Sequence, residues 1–224
     1  WLVSFLPRYA PVISRFSWIL NLLNTMPGLS YLRELAIGIS AKRSLPSWAT
    51  IPFSPNSSEN TFSNVDGSEV LLFSDTFNTY FEPENLTATV NILNAAGYKV
   101  LFADISKDDR PLCCGRTFLA NGLIDEAVIE MRRLLDVLYP YAKRGIPIIG
   151  IEPSCLYTLR DELKSLISNE KSELVSKHAM TIEEFLADQI DLGKLSLELE
   201  AIKEKKALLH GHCHQKAFSS MGVT

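Results

Sequence analysis

Cysteine is scarce in this chain of 224 residues, and the scarcity excludes one class at once. Four cysteines are too few for the disulfide framework of a small secreted domain. Two of them, Cys113 and Cys114, are adjacent, which makes a bond between them strained. A cytoplasmic protein is the expectation. Basic excess is also missing: the net charge is −4, so there is no cationic footprint for nucleic acid. No apolar run approaches the ~20 residues of a spanning helix. Trp1 does not open a basic stretch followed by an apolar one, so no signal peptide is expected, and the chain reads as a piece of a longer protein.

What remains is the composition of a globular domain, 46% hydrophobic and 21% charged, in a length sufficient for one ample core. Residues 1–51 are apolar and aromatic, interrupted by Pro7, Pro11, Pro27 and Pro46. Helices over 9–23 and 30–39 fit this segment, with Leu22, Leu23, Leu29, Leu32, Leu35 and Ile39 as the buried stripe. It reads as a connector packed on a neighbouring domain; Arg8, Arg15 and Trp18 also suit a helix lying on a membrane surface. Residues 52–68 form a polar, Ser/Asn-rich linker.

From Glu69 onward the pattern changes. Val70, Leu71, Leu72 and Phe73 make the unbroken apolar run of a buried parallel strand. A helix over 83–96 starts with Pro83, carries Glu82 and Glu84 at its positive end, and stops at Gly97. Strand 98–103, helix 123–139, strand 146–151 and helix 156–167 follow. This alternation predicts an α/β fold: a mostly parallel sheet with helices on both faces, a Rossmann-like βαβαβ unit over 69–173, preceded by the short helical segment. Residues 174–206 are expected to be helical and to cover the sheet. Residues 207–211 are expected to form a fourth strand and 207–224 to open a second unit.

Ligands of open α/β sheets lie outside the carboxyl ends of the strands. Four turns reach that edge on this reading, and all four cysteines sit in three of them. Leu112-Cys113-Cys114-Gly115-Arg116 is one, Glu152-Pro153-Ser154-Cys155 the second, Gly211-His212-Cys213-His214 the third; Asp75 stands in the fourth. Cysteines at helix starts meet unpaired N–H groups that favour thiolate, and Arg110 and Arg116 add positive charge. Clustered thiolates suit an iron–sulfur cluster or zinc. Gly115 would let the backbone approach a cluster. His212 and His214 are candidate zinc ligands or hydrogen-bonded turn residues, and Asp75 a ligand or a helix cap. The competing readings are a zinc or thiol-redox site and an inert scaffold holding no metal.

Cys113-Cys114-Gly115 together with Cys155 resembles the cysteine-rich CCG domain family, which includes the B subunit of heterodisulfide reductase and the iron–sulfur subunit of glycolate oxidase. The phrases LCCGRTFLANGLIDEA, GIEPSCLYTLRDEL and LLHGHCHQKAF are similar to the branch in which an FAD-linked oxidase of 2-hydroxy acids is fused to ferredoxin-like and CCG domains. The resemblance implies a 4Fe-4S type cluster held by Cys113, Cys114, Cys155 and Cys213, with Asp75, Gly115, Arg116, His212 and His214 in support. It implies FAD in another domain or subunit, a ferredoxin-like partner, and a quinone or other acceptor, with the protein at the inner face of the cell membrane. The sequence departs from the family pattern where Asp75 takes the place of a lone Cys, and where Cys-x-x-Cys is reduced to Cys155 between Glu152 and Thr158. Cys213 would begin a second motif.

Overall fold

The computed structural model describes residues 2–26, 28–55, 67–103, 110–195, 197, 206, 208–218 and 222. Three N-terminal helices, α1 (Leu6–Ile13), α2 (Ser17–Thr25) and α3 (Leu29–Ile37), precede β1 (Glu69–Leu72), α4 (Thr76–Tyr80), α5 (Pro83–Ala95) and β2 (Lys99–Phe102). Next come α6 (Arg116–Leu119), α7 (Ile124–Lys143), β3 (Ile148–Gly150), α8 (Pro153–Arg160), α9 (Glu162–Leu166) and α10 (Glu170–His178). The chain continues with β4 (Ala179–Thr181), α11 (Ile182–Asp191) and α12 (Cys213–Ala217). The strands form one all-parallel sheet in the order β2-β1-β3-β4.

A parallel strand with helices on both faces must be apolar on both sides, and β1 buries Val70, Leu71 and Leu72 together. Alternation then sorts them. Leu71, Phe73 and Ile148 face Met131, Leu134 and Leu138 of α7, Leu156 and Leu159 of α8, and Val175 of α10. Val70, Leu72 and Ile149 face Leu86, Val90 and Leu93 of α5 and Phe185 of α11. These are i, i+3 and i+4 positions on single helix faces, and each fully buried aliphatic contributes roughly 1.5–3 kcal/mol. The α/β architecture with helices on both faces is the expected one.

Three expectations are corrected. The fourth strand is not at 207–211: residue 207 lies outside the described residues, 208–211 are not in a strand, and Leu208 is 99% exposed. The strand is Ala179–Thr181, inside the stretch expected to be helical, paired with β3 through Ile148, Ile149 and Gly150. Only three residues long, it shows no period of its own. Thr181 ends it and caps α11, accepting from Glu184 N while Glu184 Oε2 accepts from Thr181 N. The helix expected over 156–167 begins earlier and breaks at Asp161 into α8 and α9. Finally, Leu22, Leu23, Leu32 and Leu35, expected to be buried, are exposed.

The N-terminal helices are nonetheless anchored at the carboxyl edge of the sheet. Leu6 and Ala10 pack with Tyr80, Ser4 O accepts from Thr117 Oγ1 at 2.9 Å, and Ala49 and Phe53 donate backbone bonds to Tyr80 O and Thr79 O.

Candidate thiol site at the carboxyl edge of the sheet

With β2 and β4 on opposite sides of the β1–β3 pair, the chain reverses direction across the sheet between β1 and β3. The crevice at such a switch point is where open α/β sheets take ligands. Asp75 follows β1, Cys113 and Cys114 follow β2, and Cys155 follows β3; all four line one small cavity, with Pro7 of α1, Phe73, Arg116 and Thr117.

The three thiols form a relay. Gly115 N–H donates to Cys113 Sγ at 3.3 Å, Cys113 donates to Cys114, and Cys114 donates to Cys155. All three are buried, whereas Cys213 is exposed. Cys114 and Cys155 also touch the apolar core beneath α7 and α8. The fourth cysteine thus stands apart from the other three.

The expectation of lowered thiol pKa values is overturned. The bond that Cys113 donates to Cys114, together with burial, pushes the Cys113 thiol well up. For Cys114 the bond accepted from Cys113 favours thiolate, but the bond donated to Cys155 and burial outweigh it. Cys155 gains from the bond accepted from Cys114, yet burial and the negative groups around it push it up to about 11. Neither helix starts nor arginines compensate. α6 is a single turn of four residues, too short to build much of a dipole. The Arg116 guanidinium pairs with Glu162, and Arg110 with Glu130.

Asp75 is 2% exposed and caps α4: Oδ1 accepts from Phe77 N at 2.9 Å and Asn78 N at 3.0 Å, Oδ2 from Asn78 Nδ2 at 2.7 Å. Burial pushes its carboxyl up to about 6 despite these donors, and Glu152 adds to the rise. Glu152 caps α8 through Ser154 N at 3.1 Å. Gly115 has φ +84, and its close neighbour is the protein itself: a Cβ there would stand 3.0 Å from Ala127 O of α7. Its hydrogen is needed for α7 to pack beside the cysteine turn.

His212 is a cap as well. Its Nδ1 accepts from His214 N at 3.2 Å, and its own N donates to Gln215 at 3.1 Å. The ring of His214 lies edge-on to Tyr157 of α8 at 6.4 Å. Burial first, then the charge of Arg116, lowers the His214 pKa. The His212-Cys213-His214 turn therefore reaches the same edge of the sheet while its thiol points to solvent.

Glu130 was not singled out from sequence, yet its side chain is fully buried beside Cys113. It accepts from Arg8 Nε at 2.9 Å and Arg110 Nη1 at 2.7 Å. Arg133 donates to Pro111 O at 2.7 Å and to Arg110 O. This hub ties α1 and the turn before Cys113 to α7. The signal available in the sequence was a glutamate three residues after Ala127, on the buried stripe.

Among the described residues, no group of three or more His, Cys, Asp or Glu side chains is arranged to hold a single metal ion. The donor chemistry still fits a cluster, since three cysteine sulfurs from two turns meet at one edge. The volume does not, as placed: the cavity between them is about 10 Å³, about the room one water occupies. Holding a cluster requires these turns to separate.

Against that geometry stand the comparisons with known proteins. No family model matches the chain, and no solved structure matches it. Curated sequences do. The C subunit of anaerobic glycerol-3-phosphate dehydrogenase from Escherichia coli (strain K12) is 25% identical over 212 residues, covering 92% of this chain and 50% of that one. D-2-hydroxyglutarate dehydrogenase of the same strain is 22% identical over 221 residues, covering 95% and 20%. The Pseudomonas putida D-2-hydroxyglutarate dehydrogenase is 29% identical over 97 residues, covering 43% and 9%. The chain spans half the length of the first and about a fifth of the second. These relatives are dehydrogenases, or part of one.

Proposed function

We propose that this chain is the electron-transfer part of an oxidoreductase and that its buried cysteines ligate an iron–sulfur cluster. One observation carries the reading: Cys113, Cys114 and Cys155, brought from the turns after β2 and β3, share one hydrogen-bonded pocket at the switch point of the sheet. The dehydrogenase relatives support an oxidoreductase role and the pairing with a flavin-bearing domain or subunit. A bound cluster would accept and release single electrons. The chain's own contribution is to supply Cys113, Cys114 and Cys155 as thiolates, to bury them in a cavity lined also by Pro7 and Phe73, and to hold their turns, the first through Glu130 and Arg133 and the second through the Glu152 cap. Cys213 is the proposed fourth ligand, and reaching the pocket requires a shift of α12. Because the three buried thiols are held protonated, loading would release protons. In the whole protein, electrons from a 2-hydroxy acid oxidised at FAD would pass through this site to a quinone or another acceptor.

The test is anaerobic loading of the full chain with iron and sulfide, followed by iron and sulfide analysis and visible absorption. Broad visible absorption with matched iron and sulfide is expected, and C113S, C114S and C155S should each lose most of it while keeping the far-ultraviolet circular dichroism. Uptake of zinc in preference to iron would replace this reading with a zinc site. Iron uptake equal in the wild type and in C113S/C114S/C155S would end it.

A further inference from the structure

The thiol cavity has walls of two kinds. Among its described lining residues, Pro7 alone comes from outside the turns and helix starts that follow β1, β2 and β3. Pro7 belongs to α1, and α1 is held on both flanks of the cavity. On one side Leu6 and Ala10 pack with Tyr80 of α4. On the other, Ser4 O accepts from Thr117 Oγ1 of α6, and the Phe5 ring meets that of Phe118 edge-on at 5.2 Å. Arg8 fastens this second side. Its guanidinium lies 4.8 Å over the Phe118 ring; Nε donates to Glu130 Oε1 at 2.9 Å and Nη2 donates to Glu126 Oε2. The helix therefore bridges the turn after β1 and the turn after β2.

We infer that α1 is a movable cover of the thiol pocket, latched by Arg8, and that it lifts to admit iron and sulfide to Cys113, Cys114 and Cys155. Some wall has to move, because the three thiols are buried and the cavity of about 10 Å³ has room for one water. Which wall yields follows from what holds each one. α7 and α8 are held by the core: Met131, Leu134, Leu138, Leu156 and Leu159 are completely buried against β1 and β3, and displacing them would expose that whole layer. α1 has only eight residues, below the ~12–15 at which an isolated helix is marginally stable. No side chain caps its N-terminus, and Pro11 within it removes one backbone donor. It is seated by Leu6, Ala10, the Ser4 bond and an ion pair whose Arg8 and Glu126 side chains are partly solvated. Elements held in this way are the ones that open locally. Glu130 makes Arg8 the latch: its carboxylate is fully buried, and Oε1 is shared by Arg8 and Arg110, so seating Arg8 answers a buried charge beside Cys113. The inference rests on the cluster reading only for what is admitted.

Alkylation of the metal-free full chain with iodoacetamide, under anaerobic reducing conditions and followed by peptide mass spectrometry, tests the cover. Exposed Cys213 is the internal standard. In the wild type it should react first, and the three buried thiols slowly. R8A should speed the buried three ~10-fold relative to Cys213, the size expected for loss of a charged hydrogen-bonded pair, with far-ultraviolet circular dichroism unchanged. E126Q, altered at a partly exposed partner of the latch, should speed them ~2–3-fold, and it carries the test alone should R8A fail to fold. Amide hydrogen exchange should quicken over residues 2–16 in both variants and stay as it was over 124–143. Buried-thiol rates unchanged in both variants would overturn the proposal. So would acceleration matched by faster exchange over 124–143, since α7 would then be the wall that moves. Variants whose thiols open faster yet take up no iron would uphold the cover and end the cluster reading.

Discussion

Leu134 and Leu35 both belong to apolar stripes of amphipathic helices, yet Leu134 is completely buried and Leu35 is 78% exposed. The difference lies in what stands opposite. α7 carries Leu134 against the sheet, where β1 and β3 present Leu71 and Ile148. α3 packs on α2, and among the described residues none covers Tyr31, Leu32 and Leu35. An apolar stripe records that a helix face belongs out of water; only the tertiary arrangement says whether the chain's own core or something else provides the cover.

The comparison can be broken or sharpened by substitution. The largest effect is expected from Leu134→Ala, which leaves a cavity between α7 and the sheet and should cost about 2–5 kcal/mol in urea unfolding. A loss below about 1 kcal/mol would mean that this layer is not the core. Gly115→Ala should cost about 1–3 kcal/mol, since it places a side chain at a positive φ and against the Ala127 carbonyl. Equal stability of the two proteins by thermal melting would show that α7 can move away from the cysteine turn without penalty. Leu35→Ala should change stability by less than about 0.5 kcal/mol. A loss as large as that of Leu134→Ala would mean that α3 is covered in solution.

The sheet was legible because its strands are short, continuous apolar runs separated by helices: β2 and β3 fall within the expected stretches, and β1 is shifted from its own by one residue. β4 was not. Ala179, Met180 and Thr181 follow α10 without a break, and three residues are too few to display a period. The convergence of Cys113, Cys114 and Cys155 was also legible, since turns that follow neighbouring parallel strands must emerge on one edge. Cys213 was assigned to the same group through a fourth strand at 207–211; without that strand its thiol is exposed, outside the cavity the other three share. The raised thiol pKa values were hidden for another reason. Sequence shows Arg110 and Arg116 beside the cysteines, but not that Glu130 and Glu162 have already taken their charge.

Composition and patterning by themselves determined the α/β class, the helix faces and the edge at which three sulfurs meet, because each follows from local periodicity and from the shared direction of parallel strands. The tertiary structure alone decided which strand closes the sheet, that Cys213 stays in solvent, that Gly115 makes room for α7, and that the N-terminal stripe lies bare. Those outcomes depend on which groups distant in the chain compete for the same partner or the same space, and no local pattern encodes that competition.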